Sequence, residues 1–135
     1  MSFELHPRLA ADTVTVNELP LSRLLLMNDS QYPWCILVPR REGLREIYEL
    51  SEADQLQLWR ESAQLSRALM AEFRGDKLNV AALGNMVPQL HVHHIVRFAG
   101  DAAWPAPVWG RLPAQAYEAA ALAQRIEAIR RAVAA

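Results

Sequence analysis

Apolar runs alternate with clusters of turn-forming residues along the first third of the chain, and this pattern predicts β-strands. Threonine and valine alternate over residues 13–16, before an Asn-Glu-Leu-Pro sequence ends the run. Residues 21–27 and 34–38 are both largely apolar, and the segment between them is rich in turn formers. The pattern therefore predicts a short first strand, followed by two antiparallel strands joined by a tight loop.

The middle of the chain has the spacing of an amphipathic helix. Ser51 followed by Asp54 has the form of a helix N-cap with an acidic residue three positions on, and Gly75 supplies a C-terminal stop. Between them, residues recur at helical spacing: Leu56, Trp59, Ala63, Ser66, Met70 and Phe73. The sequence predicts one helix over about residues 52–74.

Two further strands and a second helix are predicted in the C-terminal half. Residues 78–83 and 89–98 have the composition of strands, and a turn separates them. Residues 114–133, opened by Pro113, carry apolar side chains at helical spacing towards a core or a partner. The order of elements predicts an α+β fold, an antiparallel sheet with one central helix and a C-terminal helix. A chain of 135 residues suits one domain over residues 1–135.

Residues 104–110 are not expected to form a regular element, because two prolines and a glycine interrupt them. Trp104 and Trp109 flank the prolines. Two interpretations stay open: the indoles fill the edge of the core, or they form a lid or wall beside a ligand.

Composition narrows the class of partner and the compartment. The chain has 14 Lys and Arg residues against 15 Asp and Glu, so it shows no basic surface for a nucleic-acid polymer. No segment approaches the roughly 18 apolar residues of a membrane span, and the N-terminus lacks the pattern of a secretory signal. The single cysteine, Cys35, lies in an apolar run and is expected to pack as a small hydrophobe rather than act as a thiolate. A cytoplasmic location is expected.

The most informative spacing is that of Gln89, His91 and His93. Side chains alternate between the faces of a strand, so these three are expected to point the same way, about 6.6 Å apart at roughly 3.3 Å per residue. Three polar side chains on one face of an otherwise apolar strand each need a partner or water. We therefore expect this face to line a cleft.

Such a face suits chemistry on a phosphate. A neutral imidazole is a competent nucleophile towards phosphorus, and a second imidazole two residues away can donate to a phosphoryl oxygen or to the leaving group. The amide of Gln89 donates without titrating, and Gly84 with Asn85 allows backbone N–H groups to approach an anion. Two alternatives stay open: a two-histidine metal site, for which no carboxylate is close in sequence, and an incidental histidine-rich strand.

Residues 84–97 resemble the signature of the histidine-triad (HIT) family, in which histidines alternate with apolar residues behind a glycine-containing turn. The order of elements agrees over most of the chain. The resemblance implies an α+β fold, usually a homodimer, and a hydrolase or transferase acting on the α-phosphate of nucleotides. It also implies that His91 is the nucleophile that becomes nucleotidylated, and that His93 contacts the phosphate and the leaving group.

Two positions depart from the family pattern. Gln89 stands where the family usually has the first histidine of the triad. Glutamine keeps a hydrogen-bond donor but does not share a proton, which affects turnover more than binding. His94 is an extra histidine where an apolar residue is usual, and strand alternation turns it away from His91, towards a helix or a dimer surface.

The resemblance also implies residues around a bound nucleotide. Asn28 or Asp29 falls where the family places a polar residue on the ribose, and Asn79 resembles the polar residue that contacts the phosphate region. Trp34 lies near a position where related proteins have another active-site histidine, and its indole is expected to pack beside the base. A turn former at Asn28 and an exposed strand amide at Asn79 are the alternative interpretations.

These observations predict a nucleotide hydrolase or nucleotidyl transferase acting on a dinucleoside polyphosphate or a nucleoside phosphoramidate. His91 attacks the α-phosphorus, while His93, Gln89 and the turn at Gly84 and Asn85 stabilise the charge on the phosphoryl oxygens. The scheme requires no metal and no cofactor. The alternative is a nucleotide-binding regulatory module that kept the pocket and lost efficient chemistry.

Overall fold

The computed structural model describes residues 3–135, and three α-helices and five strands occur within that range. In chain order they are α1 Pro7–Asp12, β1 Thr13–Glu18, β2 Ser22–Met27, β3 Trp34–Pro39, α2 Glu52–Phe73, β4 Lys77–Ala81, β5 Val92–Arg97 and α3 Ala119–Ala134. A single 3-10 turn at Ile47–Glu49 precedes α2. The predicted α+β class is confirmed.

The five strands form one antiparallel sheet in the order β1-β2-β3-β5-β4. At its centre β3 pairs with β5, so that Trp34 lies opposite Ile95 and Ile36 lies opposite His93. Every residue of these two strands is buried. Both faces of the sheet are covered, which explains why β3 has a continuous apolar sequence rather than an alternating pattern.

Helices α2 and α3 cover one face of the sheet. Leu65 of α2 and Ile129 of α3 belong to the same apolar cluster as Val92 of β5, and all three are buried. The apolar face of α3, which the sequence assigned to a core or a partner, therefore packs in the chain's own core.

The other face is covered by α1 and by the irregular segment 101–110. Leu9 of α1 and Val108 of that segment are buried with Trp34 and Ile95 in a second apolar cluster. This face is the one towards which the odd-numbered residues of β5 point, and it carries the candidate site.

The predicted elements are present, but several boundaries differ. α1 was not predicted, because a six-residue helix is too short to show a helical period. β1 continues to Glu18 beyond an irregularity between Thr15 and Asn17. α3 begins at Ala119 rather than at residue 114. The segment before it does not form helical hydrogen bonds, because it bonds the loop between β2 and β3: the Ser30 N–H donates to the Gln115 carbonyl.

Candidate active site

His91 and His93 lie side by side at the start of β5, which begins at Val92. Their ring centroids are 4.9 Å apart and the rings are inclined at 74°. Both rings line one cavity of about 600 Å³, which we call the histidine cavity. Besides the two histidines, its walls include Arg8, Leu9, Trp34, Met86, Val87 and Trp109. The structure therefore brings the two predicted catalytic histidines together beside an open space.

The main chain determines which nitrogen of His91 is free. His91 Nδ1 lies 2.6 Å from the main-chain oxygen of Gln89. A carbonyl oxygen only accepts hydrogen bonds, so this bond requires the proton on Nδ1. In the neutral ring Nε2 then holds the lone pair and is the nitrogen available to an electrophile.

His93 has the opposite tautomer. The Nε1–H of the Trp34 indole, which only donates, lies 3.0 Å from His93 Nδ1, so Nδ1 holds the lone pair and Nε2 the proton. Burial, and then the neighbouring charge of His91, lowers the pKa of His93 to about 4, although a hydrogen bond to the Leu83 backbone opposes the shift. The ring is therefore neutral near pH 7.

The histidine cavity has the size and lining of a small-molecule site. Its volume of about 600 Å³ lies within the usual range for ligand pockets. Trp109 meets His93 edge to face, with ring centroids 5.1 Å apart, and so forms an aromatic wall. Trp104 instead lies with the Arg97 guanidinium 5.7 Å from its ring centre. Both interpretations of this loop fit Trp109, which packs against the second apolar cluster and forms a cavity wall, whereas Trp104 covers a buried charge.

Gly84 and Asn85 also lie beside His91. Together with Arg45 they line a smaller cavity of about 260 Å³, which His91 borders as well. A Cβ atom on Gly84 would lie 2.8 Å from the main-chain oxygen of Val87 and 3.6 Å from His91 Cε1. The absence of a side chain at Gly84 therefore allows this turn to pack closely against its own backbone, next to the His91 ring.

Gln89 lies outside the predicted strand, although it lines the smaller cavity together with His91. β5 begins at Val92, so Gln89 is not a strand residue, and the alternation that set its side chain beside His91 does not apply. Its Oε1 accepts from the His6 N–H at 2.8 Å, and its Nε2 donates to the Glu4 carbonyl at 2.9 Å. The amide of Gln89 thus fixes the N-terminal segment, and it is the main-chain carbonyl of Gln89 that bonds the His91 ring.

Asn28 and Asp29 hold neighbouring main chain in place. Asn28 Oδ1 accepts from the Tyr117 N–H at 2.9 Å, and Asp29 Oδ1 accepts from the Gln31 N–H at 3.1 Å. Both residues line a cavity of about 490 Å³ that shares Trp109 with the histidine cavity. Their contacts are those of turn formers, and their position is at the border of the space next to the histidines.

Asn79 belongs to a different network. Its Oδ1 accepts from Arg97 Nη1 at 2.9 Å, and Arg97, which is buried, forms an ion pair of 2.8 Å with Asp101. Asn79 is not among the residues that line the histidine cavity. This network was not predictable from the sequence, because Asp101 follows Arg97 in a segment without helical or strand periodicity.

His94 and Cys35 lie on the opposite face, under α2. His94 Nε2 is 2.8 Å from Ser62 Oγ, and the ring is fully buried, as strand alternation predicted. Burial lowers the pKa of His94 to about 4, although a hydrogen bond to the Val92 backbone opposes the shift. Cys35 is buried, and burial raises its pKa to about 12, so it packs as a hydrophobe and is not a thiolate at neutral pH.

Sequence reasoning missed the N-terminal wall of the histidine cavity. Arg8, Leu9 and Asp12 of α1 all line it, and Arg8 Nε lies 2.8 Å from Asp12 Oδ2. The available signal was Pro7, because proline is favoured in the first turn of a helix.

Within residues 3–135 no three His, Cys, Asp or Glu side chains are grouped so as to hold a metal ion. The helices of the described range are all too short or too polar to cross a membrane.

A five-stranded antiparallel sheet that presents two adjacent histidines to a ligand-sized cavity defines a protein of the histidine-triad class. The HIT domain model matches residues 8–100, and the chain belongs to the HIT family. No curated protein matches the chain.

Solved structures of histidine triad proteins agree with this fold over nearly the whole chain. One from Bradyrhizobium japonicum is 50% identical, with a TM-score of 0.96, and the match covers 98% of this chain and 99% of that one. One from Marinobacter aquaeolei VT8 is 53% identical, with a TM-score of 0.97 and coverage of 99% and 98%. A third, from Sinorhizobium meliloti 1021, is 39% identical, with a TM-score of 0.94 and coverage of 96% of both chains.

Proposed function

We propose that the protein is a nucleotide hydrolase or nucleotidyl transferase that acts at the α-phosphate through a nucleotidyl-His91 intermediate. Membership of the HIT family supports the class of reaction. One observation carries the assignment of the nucleophile: the Gln89 carbonyl holds the His91 proton on Nδ1, which leaves Nε2 free in a ring that lines the cavity.

The chemical step follows from this arrangement. His91 Nε2 forms a bond to the α-phosphorus as the bond from phosphorus to the leaving group breaks. The Nε2–H of His93 donates a hydrogen bond to a phosphoryl oxygen or to the leaving group. Water then attacks the phosphorus, the phosphorus–nitrogen bond breaks, and a nucleoside monophosphate leaves neutral His91 behind.

The substrate proposed is a dinucleoside polyphosphate or a nucleoside phosphoramidate. We assign its base to the aromatic wall formed by Trp34 and Trp109, whose ring centroids are 5.9 Å apart. The α-phosphate is assigned to the turn at Gly84 and Asn85, beside His91, and the ribose to the neighbouring cavity that residues 28–29 line. Asn79 is not part of the proposed site, because its amide oxygen is bonded to a buried arginine.

We also propose that the protein is a cytoplasmic homodimer. The HIT family membership supports dimerisation, and β4 supplies a surface for it: this strand is an edge of the sheet, and Val80 on it is 49% exposed. Unpaired N–H and C=O groups on a sheet edge can pair with the same groups of a second chain.

The covalent intermediate provides the test of the proposed reaction. The protein is mixed with adenosine 5′-phosphoramidate or with diadenosine tetraphosphate and examined by intact-protein mass spectrometry. We expect an adduct of one adenylyl group on the wild type. His91→Ala should keep nucleotide binding and lose both the adduct and the turnover, because its side chain holds no nucleophile.

His94→Gln is the matched control, because it removes a histidine from the opposite face and retains an amide that can bond Ser62. This variant should still form the adduct. Turnover by His91→Ala would remove His91 from the nucleophile role. Stoichiometric nucleotide binding by the wild type, with neither adduct nor product, would instead indicate a regulatory module.

A further inference from the structure

The Trp34 indole N–H is directed at a histidine of the site rather than at the open cavity. It lies 3.0 Å from His93 Nδ1, and the exposed fractions of the two residues are 6% and 4%. Water therefore has little access to either atom, and a buried donor that lost this partner would stay unsatisfied. The hydrogen bond between Trp34 and His93 is thus a structural feature of the site.

We propose that Trp34 is a positioning residue that fixes His93 as the Nε2–H tautomer, so that His93 faces the substrate as a hydrogen-bond donor and not as a base. The role of the His93 Nε2–H as a donor to the phosphoryl group rests on the proposed function. The tautomer itself depends only on the contact between the two side chains.

Sheet register explains why these two side chains meet. Trp34 pairs with Ile95 and Ile36 pairs with His93, so Trp34 and His93 are diagonal neighbours on the same face of β3 and β5. Diagonal neighbours are within reach of aromatic side chains. Their ring centroids are 5.7 Å apart and the rings are inclined at 59°, which directs an indole edge, with its N–H, at the imidazole. A face-to-face stack would not allow this bond.

A proton on Nδ1 of His93 would face the N–H of Trp34, and this contact would become repulsive.

The consequence is a pair of histidines whose Nδ1 nitrogens have opposite hydrogen-bonding roles. His91 holds its proton on Nδ1 and His93 holds its proton on Nε2, because a carbonyl stands opposite one ring and an indole opposite the other. Without the indole N–H, His93 is free to hold its proton on Nδ1 and to present a lone pair to a phosphoryl oxygen. That arrangement repels the substrate in the transition state.

Nitrogen chemical shifts of isotope-labelled histidine test the tautomer directly, with the His93 signals assigned by their loss in His93→Gln. In the wild type we expect a protonated Nε2 and an unprotonated Nδ1. Trp34→Phe, which keeps an aromatic ring and removes the N–H, should shift His93 towards a mixture of tautomers. Trp109→Phe should leave the tautomer unchanged, because Trp109 packs against the His93 ring without donating a hydrogen bond to it.

A proton on Nδ1 of His93 in the wild type would overturn the proposal, and so would identical His93 shifts in the wild type and in Trp34→Phe. The first of these results does not need Trp34→Phe, so the proposal stays testable if that variant does not fold.

Steady-state kinetics test the role of His93 as a donor to the phosphoryl group. For Trp34→Phe we expect kcat to fall about five- to tenfold, as for the loss of one buried neutral hydrogen bond, with KM changed less than about twofold. Trp59→Phe is the matched control, because Trp59 is 75% exposed on α2, and its kinetics should equal those of the wild type. An unchanged kcat in Trp34→Phe would overturn the positioning role. A wild type without a His91 adduct contradicts the proposed function instead, and the tautomer is then still decided by the spectra.

Discussion

The two site histidines differ because different atoms stand opposite their Nδ1 nitrogens. The oxygen of Gln89 accepts from His91, and the indole of Trp34 donates to His93. Neither partner is able to reverse its role, so His91 holds a proton on Nδ1 and His93 holds a lone pair there. At the scale of single residues the site is therefore organised by hydrogen bonds to groups that do not titrate.

Gly84→Ala should disturb the turn beside His91. The added Cβ would lie 2.8 Å from the Val87 oxygen, which is closer than a methyl group tolerates, and the backbone has to move. We expect a loss of about 1–3 kcal/mol in the free energy of unfolding, together with reduced turnover. Urea unfolding and a turnover assay measure the two effects.

Gly100→Ala is the control for that substitution, because a Cβ at Gly100 would meet nothing within 4 Å. Its stability should be close to that of the wild type. Equal stability of Gly84→Ala and Gly100→Ala would mean that the turn relaxes without cost.

Stability should fall as the pH falls from about 6.5 to about 4. Burial lowers the pKa of both His93 and His94 from 6.5 to about 4, so in this window the unfolded chain binds more protons than the folded chain. Each histidine then contributes a loss of up to about 3 kcal/mol at the acidic end. Urea unfolding across the window measures the slope, which should be shallower in His94→Gln. An unchanged slope in that variant would show that His94 already takes up its proton in the folded state.

At the scale of elements, the N-terminal segment and the start of β5 act as one unit. The Gln89 amide bonds the main chain of Glu4 and His6 on opposite sides, at 2.9 Å and 2.8 Å. The helix α1 that follows supplies Arg8 to the wall of the histidine cavity. One side chain therefore connects the wall to the segment that carries His91.

Gln89→Ala should release that wall. The substitution removes both hydrogen bonds of the Gln89 side-chain amide and keeps the main-chain carbonyl that bonds His91. KM for a nucleotide should therefore rise more than kcat falls. Hydrogen exchange over residues 3–12 should accelerate, because the segment loses its connection to the rest of the molecule. Gln64→Ala, at an exposed position of α2, serves as the control and should exchange like the wild type. Unchanged exchange in Gln89→Ala would show that apolar packing alone holds the segment.

Elements with a clear period were predicted well, and short ones were not. α2 agrees with its predicted range to within one residue, because its cap, stop and apolar spacing all lie in the local sequence. β5 begins three residues later than predicted, because apolar and polar residues alternate in Gln89 to His91 as they would in a strand. There the hydrogen bonds of Gln89 to a segment more than eighty residues away decide the conformation.

At the scale of the whole molecule, the sheet has two covered faces and an edge at β4. In the proposed homodimer this edge pairs with its copy. Val80→Lys should therefore convert the protein to a monomer at roughly micromolar concentration, since a lysine on an edge strand opposes pairing. Sedimentation velocity measures the change.

Thr15→Lys, an exposed position on the opposite edge strand β1, is the control and should remain dimeric. A monomeric wild type at micromolar concentration would contradict the dimer. A dimeric Val80→Lys would move the interface away from β4.

The sequence by itself determined the fold class, the main elements and the proximity of His91 to His93, because apolar periodicity and residue spacing are local properties of the chain. Only the tertiary structure decided the contacts of Gln89, Trp34 and Asn79, because each depends on which polar atom lies opposite the side chain. Those atoms come from the N-terminus, from a neighbouring strand and from a buried arginine. Hydrogen bonds between distant segments do not produce a periodic pattern in the sequence, so their partners are identified only from the folded structure.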